Sequence, residues 1–120
     1  KHIIQFGHVE TFEEYAKFLF EADIIPITSK QDFFGISIME AIYCNTIPIL
    51  PNRLSYPLLY NINKNPSIFY NDQLELINKL TYTIKNLNKI KTINFKESLD
   101  YYDWLNIAEL YDLELQKRFN

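Results

Sequence analysis

Residues 29–44 read SKQDFFGISIMEAIYC and carry one of only two glycines in the chain, together with a lone carboxylate, Glu40, inside an otherwise almost wholly apolar run. From residue 36 to residue 44 the polar side chains besides Tyr43 are Ser37 and Glu40, so the pattern predicts a helix buried on most sides. Asn45 follows, a residue that tolerates the left-handed conformation found just past helix ends. An ionised carboxylate in a dry core is costly unless it is paired or hydrogen-bonded, so Glu40 needs a partner. Helical side chains lean toward the N-terminus, and Glu40, just past the first turn, therefore points back toward the loop that holds Asp32 and Gly35. The two carboxylates are expected to converge on one mouth. The backbone amides of the helix start open onto the same mouth, and Gly35 lets a ligand approach them closely. Anion-binding amides beside acceptors for hydroxyl protons suit a ligand that has both phosphate and sugar groups.

Working outward, KHIIQFGHV at the start reads as a short apolar strand closed by Gly7, and TFEEY then sets Thr11 and Glu14 at capping-box spacing for a helix. Phe12, Tyr15, Ala16 and Leu19 recur at helical spacing and should be its buried face. ADIIPITSK reads as a strand, although Pro26 removes a ladder donor and argues for an edge or a bulge. After the central helix, TIPIL is a strand, PNRLSYPLLYNINKNP is loop-like, and SIFY is a short strand at its exit. A long helix follows with a stripe of Leu74, Ile77, Leu80, Ile84 and Leu87, and a last helix with Trp104, Ile107, Ala108, Tyr111 and Leu115. Alternating strands and helices predict an α/β fold, a Rossmann-like parallel sheet with helices on both faces. In such sheets ligands bind beyond the carboxyl ends of the strands, where SKQDFFG lies.

The 120 residues suffice for a single domain, and a net charge of -3 gives no reason to expect a general polyanion-binding surface. Lysines 79, 85, 89, 91 and 96 are a local basic concentration that a solvated helix face explains. Cys44 is the single cysteine, with no His or metal-ligand spacing around it; a packing role and a reducing, cytoplasmic setting are expected, with no metal. No apolar run approaches the length of about 20 residues that crosses a bilayer. His2 reads as a surface residue, and His8 as an exposed loop residue or one facing a cleft. Arg53, Ser55 and Tyr56 fit a turn and a ligand contact equally well.

The run DFFGISIMEAIYCNTIPILP resembles the signature of retaining glycosyltransferases of the GT-B fold, family 4 type: an acidic residue, Phe-Gly, then Glu-Ala before a turn and a Pro-containing strand. FFG, EAIYC and PNRLSYP together resemble, more narrowly, the tRNA-queuosine mannosyltransferase group. The resemblance implies a nucleotide-sugar donor and no separate cofactor. Glu40 would stand at the family's ribose-binding glutamate, Asp32 at the catalytic acidic residue near the transferred sugar, and Phe34, Gly35 and Ile36 at the loop amides facing sugar and diphosphate, with Arg53, Ser55 and Tyr56 as further candidate substrate contacts. It also implies GDP-mannose as donor and queuosine in tRNA as acceptor. The family usually has Glu at the position of Asp32, and often Glu at that of Leu58.

On this resemblance residues 1–120 are one partial domain, the second half of a GT-B C-terminal domain, with the N-terminal domain of the same protein as a partner. The opening strand would lie far from the strand at residues 24–28, and exposed strand edges would then favour association. Two other readings remain: a non-catalytic binding module that keeps the fold, and a generic doubly wound domain, for which there is no Gly-rich dinucleotide fingerprint.

Overall fold

The computed structural model describes residues 2–119, without the side chains of Trp104, Asn106 and Phe119. Strands β1 (Ile24–Pro26), β2 (Ile47–Pro51) and β3 (Phe69–Tyr70) form a parallel sheet in the order β1-β2-β3. Helix α1 (Phe12–Glu21) precedes the sheet, and α2 (Ile36–Tyr43) links β1 to β2. A short α3 (Tyr56–Leu59) and a 3-10 turn (Pro66–Ile68) link β2 to β3; α4 (Gln73–Lys85), α5 (Leu87–Ile90) and α6 (Trp104–Phe119) follow. A parallel sheet flanked by helices is the α/β, Rossmann-like fragment that the alternating pattern predicts.

The sheet contains three prolines, and the register shows how each is accommodated. β1 pairs with β2 as Ile24↔Ile47, Ile25↔Pro48 and Pro26↔Ile49, with Ile47 N–H donating to the Asp23 carbonyl and Ile27 N–H to that of Ile49. Odd-numbered residues of β1 therefore face β2, and the missing N–H of Pro26 falls on the open edge, where no donor is needed. Along β2, Pro48 faces the β3 side before β3 begins, since that pairing starts at Leu50↔Phe69. Pro51 is the costly one. In a regular parallel ladder its N–H would be donated to the Ile27 carbonyl, and proline has none. The Tyr70 hydroxyl donates to that carbonyl instead, at 2.6 Å.

Every residue of β2 is buried, and with Ile38 and Ile42 of α2, Tyr56, Tyr60, Ile68, Phe69 and Phe95 its side chains make the core. α1 starts on Thr11, whose Oγ1 accepts from Glu14 N–H at 3.2 Å, as the capping spacing predicts. It is held at its other end by the buried Thr46, whose hydroxyl lies 3.2 Å from the carbonyls of both Leu19 and Ala22. The end of α2 is as expected, with Asn45 at φ 68°.

Several expectations are corrected. Residues 3–6 form no strand; Ile4 and Phe6 are more than nine-tenths exposed, because no described strand offers them a ladder. α1 buries no residue fully and leaves Phe12 exposed. α2 buries only Ile38, Ala41 and Ile42, leaving Ile36 and Tyr43 in solvent, so it is buried on one face rather than most. In α4 the inward face is Leu76, Leu80 and Thr83, whereas Leu74, Ile77 and Ile84 are exposed. The helix carries two apolar stripes, and spacing alone does not say which one meets the sheet. On α6, Ile107 and Ala108 are half-buried while Tyr111 and Leu115 are exposed; the Trp104 side chain lies outside the described residues.

The Tyr70→Phe protein is expected to lose about 1 to 2 kcal/mol of stability in urea unfolding, because it orphans the Ile27 carbonyl. Leu58→Ala, at an exposed site, should stay within about 0.5 kcal/mol of wild type.

Candidate functional site

The loop after β1 reaches α2 through a turn that Asp32 organises. Its Oδ1 accepts from Gly35 N–H at 3.1 Å and its Oδ2 from the Tyr56 hydroxyl at 2.7 Å, so one carboxylate ties together the start of α2 and the start of α3. Gly35 is buried at φ 69°, the left-handed region; a Cβ there would lie 3.1 Å from Ile38 Cδ1 and 3.6 Å from Asp32 Oδ2. Glycine meets both constraints at once. None of the described side chains accepts from the amides of Ile36 or Ser37, so the helix starts without a side-chain cap.

The loop after β2 is stitched onto the same turn. The Arg53 guanidinium donates to the carbonyls of Ser29, at 2.9 Å and 3.2 Å, and Thr28, at 3.2 Å. Ser55 Oγ donates to the Phe33 carbonyl at 3.0 Å, and Tyr60, beneath, donates to that of Gly35 at 3.4 Å. Asp32, Gly35, Arg53, Ser55 and Tyr56 are thus brought together. Phe34 and Ile36 border a neighbouring groove of 630 Å³ toward α6, where Phe34 meets Tyr102 edge to face at 5.5 Å.

Glu40 has a different partner. Its Oε2 accepts from the Tyr15 hydroxyl of α1 at 2.7 Å, and its Oε1 makes no hydrogen bond among the described residues. The side chain is half-buried and lines a 530 Å³ cleft between α1, α2 and residues 96–103, walled by Phe12, Leu19, Met39 and Tyr102. Asp32 is not among the described residues lining that cleft. Each carboxylate thus holds its own tyrosine. Its spacing puts Tyr15 on an apolar face; the signal for its second role is that a tyrosine half-buried there still needs somewhere to put its hydroxyl.

The hydrogen bond to Glu40, then burial and the charge of Glu40, push the Tyr15 phenol up to about 12. Burial, then the bond to Asp32, push Tyr56 up to about 12, and burial raises Tyr60 further. Of the five lysines, Lys79 donates to the Ser67 carbonyl, Lys91 pairs with Asp23, and Lys96 lies over the Tyr43 ring at 5.1 Å, while Lys85 and Lys89 are exposed. His2 and His8 are exposed, and Cys44 is half-buried at the end of α2. No cluster of three metal-ligating side chains occurs among the described residues, and none of their helices is long and apolar enough to cross a membrane.

The chain is 31% identical over 117 residues to the tRNA-queuosine alpha-mannosyltransferase of Drosophila melanogaster, an alignment that takes in 98% of this chain and 29% of that protein. The chain is therefore related to a glycosyltransferase over nearly its whole length while spanning under a third of the relative's. No protein-family model matches it, and no solved structure does.

The tyrosines set an alkaline limit on the fold. Below pH 10 they are protonated in both states; above it the unfolded chain loses protons that Tyr15 and Tyr56 keep to about pH 12. The native state then binds more protons than the unfolded one, so stability falls as pH rises through that window. Urea midpoints measured across it should drop less steeply for Tyr15→Phe than for wild type.

Proposed function

We propose that this chain is the donor-side segment of a retaining glycosyltransferase that takes GDP-mannose and serves queuosine in tRNA. The observation that carries the reading is the pairing, on one helix, of an uncapped N-terminus behind a left-handed Gly35 with Glu40 and its open Oε1. The likeness to the mannosyltransferase supports it. In this reading the amides of Ile36 and Ser37 take the diphosphate, the helix dipole favouring its charge, and Glu40 accepts from ribose hydroxyls.

Asp32 holds these amides in register and, beside the transferred mannose, meets its hydroxyls. Arg53, Ser55 and Tyr56 border the donor while holding the turn that presents Phe34, Gly35 and Ile36. Transfer with retention proceeds on one face of the sugar: the bond from the anomeric carbon to the diphosphate breaks, the acceptor oxygen bonds from the same side, and its proton passes to the leaving phosphate. Catalysis is then positioning and stabilisation of the departing charge. The tRNA needs a basic surface that a chain of net charge -3 does not supply, so the rest of the enzyme provides it, in the cytoplasm. A second reading, a nucleotide-sugar-binding module without turnover, draws support from Asp32, both of whose oxygens are already engaged.

Calorimetric titration of the complete protein with GDP-mannose, beside turnover on queuosine-containing tRNA, tests this. Glu40→Gln should weaken donor binding about ten- to a hundredfold, the worth of a charge-assisted hydrogen bond, while the melting temperature changes little. Asp32→Asn keeps an acceptor for Gly35 N–H and a polar partner for Tyr56, and should lower kcat more than donor affinity. A Glu40→Gln protein that melts far lower yet binds donor normally overturns the reading. Tight donor binding with no transfer or hydrolysis favours the module.

A further inference from the structure

We infer that Tyr15 is the positioning residue for Glu40: its hydroxyl, on a separate helix, holds one carboxylate oxygen so that the other stays presented to the cleft. The inference rests on Glu40 being a donor ligand, as proposed above. Glu40 has several rotatable bonds and no other hydrogen-bond partner among the described residues, so without the 2.7 Å bond from Tyr15 its head group would sample several rotamers. Fixing it beforehand removes an ordering cost from ligand binding. Because the Tyr15 hydroxyl occupies only Oε2, the lone pairs of Oε1 are left to accept from a ligand.

The alternative role for the pair is to fasten α1 to α2, and the structure separates the two roles. α1 has a second attachment, the buried Thr46 hydroxyl beneath the carbonyls of Leu19 and Ala22, about one to two turns further along the helix than Tyr15 and made to backbone rather than to Glu40. Tyr15 is the α1 side chain that bonds Glu40 and lines the same cleft. Anchoring and carboxylate orientation can therefore be perturbed one at a time.

The test compares Tyr15→Phe, Thr46→Val and Glu40→Gln in the complete protein, with GDP-mannose as the probe and steady-state transfer and thermal melts as readouts. Tyr15→Phe is expected to raise the donor KM about three- to thirtyfold with kcat nearly unchanged, since the ribose contact that Glu40 makes equally in the ground and transition states is weakened. Thr46→Val should lower the melting temperature and leave KM alone. A Tyr15→Phe protein that only melts lower, with wild-type KM, overturns the inference while leaving the role of Glu40 standing, provided Glu40→Gln still raises KM. A Tyr15→Phe protein that does not fold also overturns it, because anchoring would then be the main role of the residue. If Glu40→Gln leaves KM unchanged, the reading of Glu40 fails and this inference with it.

Discussion

The Asp32 carboxylate is the joint on which the site depends. One oxygen fixes the Gly35 amide and the other the buried Tyr56 hydroxyl, so the loop after β1, the start of α2 and the start of α3 cannot shift separately. The carboxylate accepts from neutral donors at both oxygens, the arrangement in which a partly buried charge is tolerated. Around it the Arg53 and Ser55 side chains satisfy backbone carbonyls of the same loop. A rigid, glycine-cornered turn then delivers the first amides of α2 outward, while Ile38, Ala41 and Ile42 on the inner face of that helix seat it on β2.

Much of this was legible in the residues, and the failures have physical causes. Helix ends were readable because capping is local chemistry: Thr11 with Glu14, and Asn45 in the left-handed region. Pro26 argued for an edge or a bulge, and among the described residues β1 is an edge. Burial depends on what lies opposite, which spacing does not encode. Hence residues 3–6 read as a strand without a strand beside them, and α4 turned a different stripe to the sheet than Leu74, Ile77 and Ile84 suggested. The compensation of Pro51 by Tyr70 joins residues far apart in the chain and has no local signal.

The site shows the same division. That Glu40 needs a partner followed from the cost of an unsatisfied carboxylate. Its partner did not: the lean of a helical side chain toward the N-terminus pointed to the Asp32 loop, whereas the neighbouring helix supplies a phenol from Tyr15. A charge in a half-buried helix is therefore explained by a contact between helices. Asp32 and Glu40 remain within eight residues of each other in the chain, one organising the turn and the other facing the cleft, and any ligand that uses both must lie along α2 from its first amides to its second turn.

Amide hydrogen exchange on the complete protein with and without GDP-mannose tests the central claim most directly. The account predicts that the nucleotide sugar slows exchange in peptides covering residues 33–44, with the strongest protection at the first amides of α2. Saturating donor that leaves those amides exchanging as before, with protection confined to other parts of the protein, would contradict it.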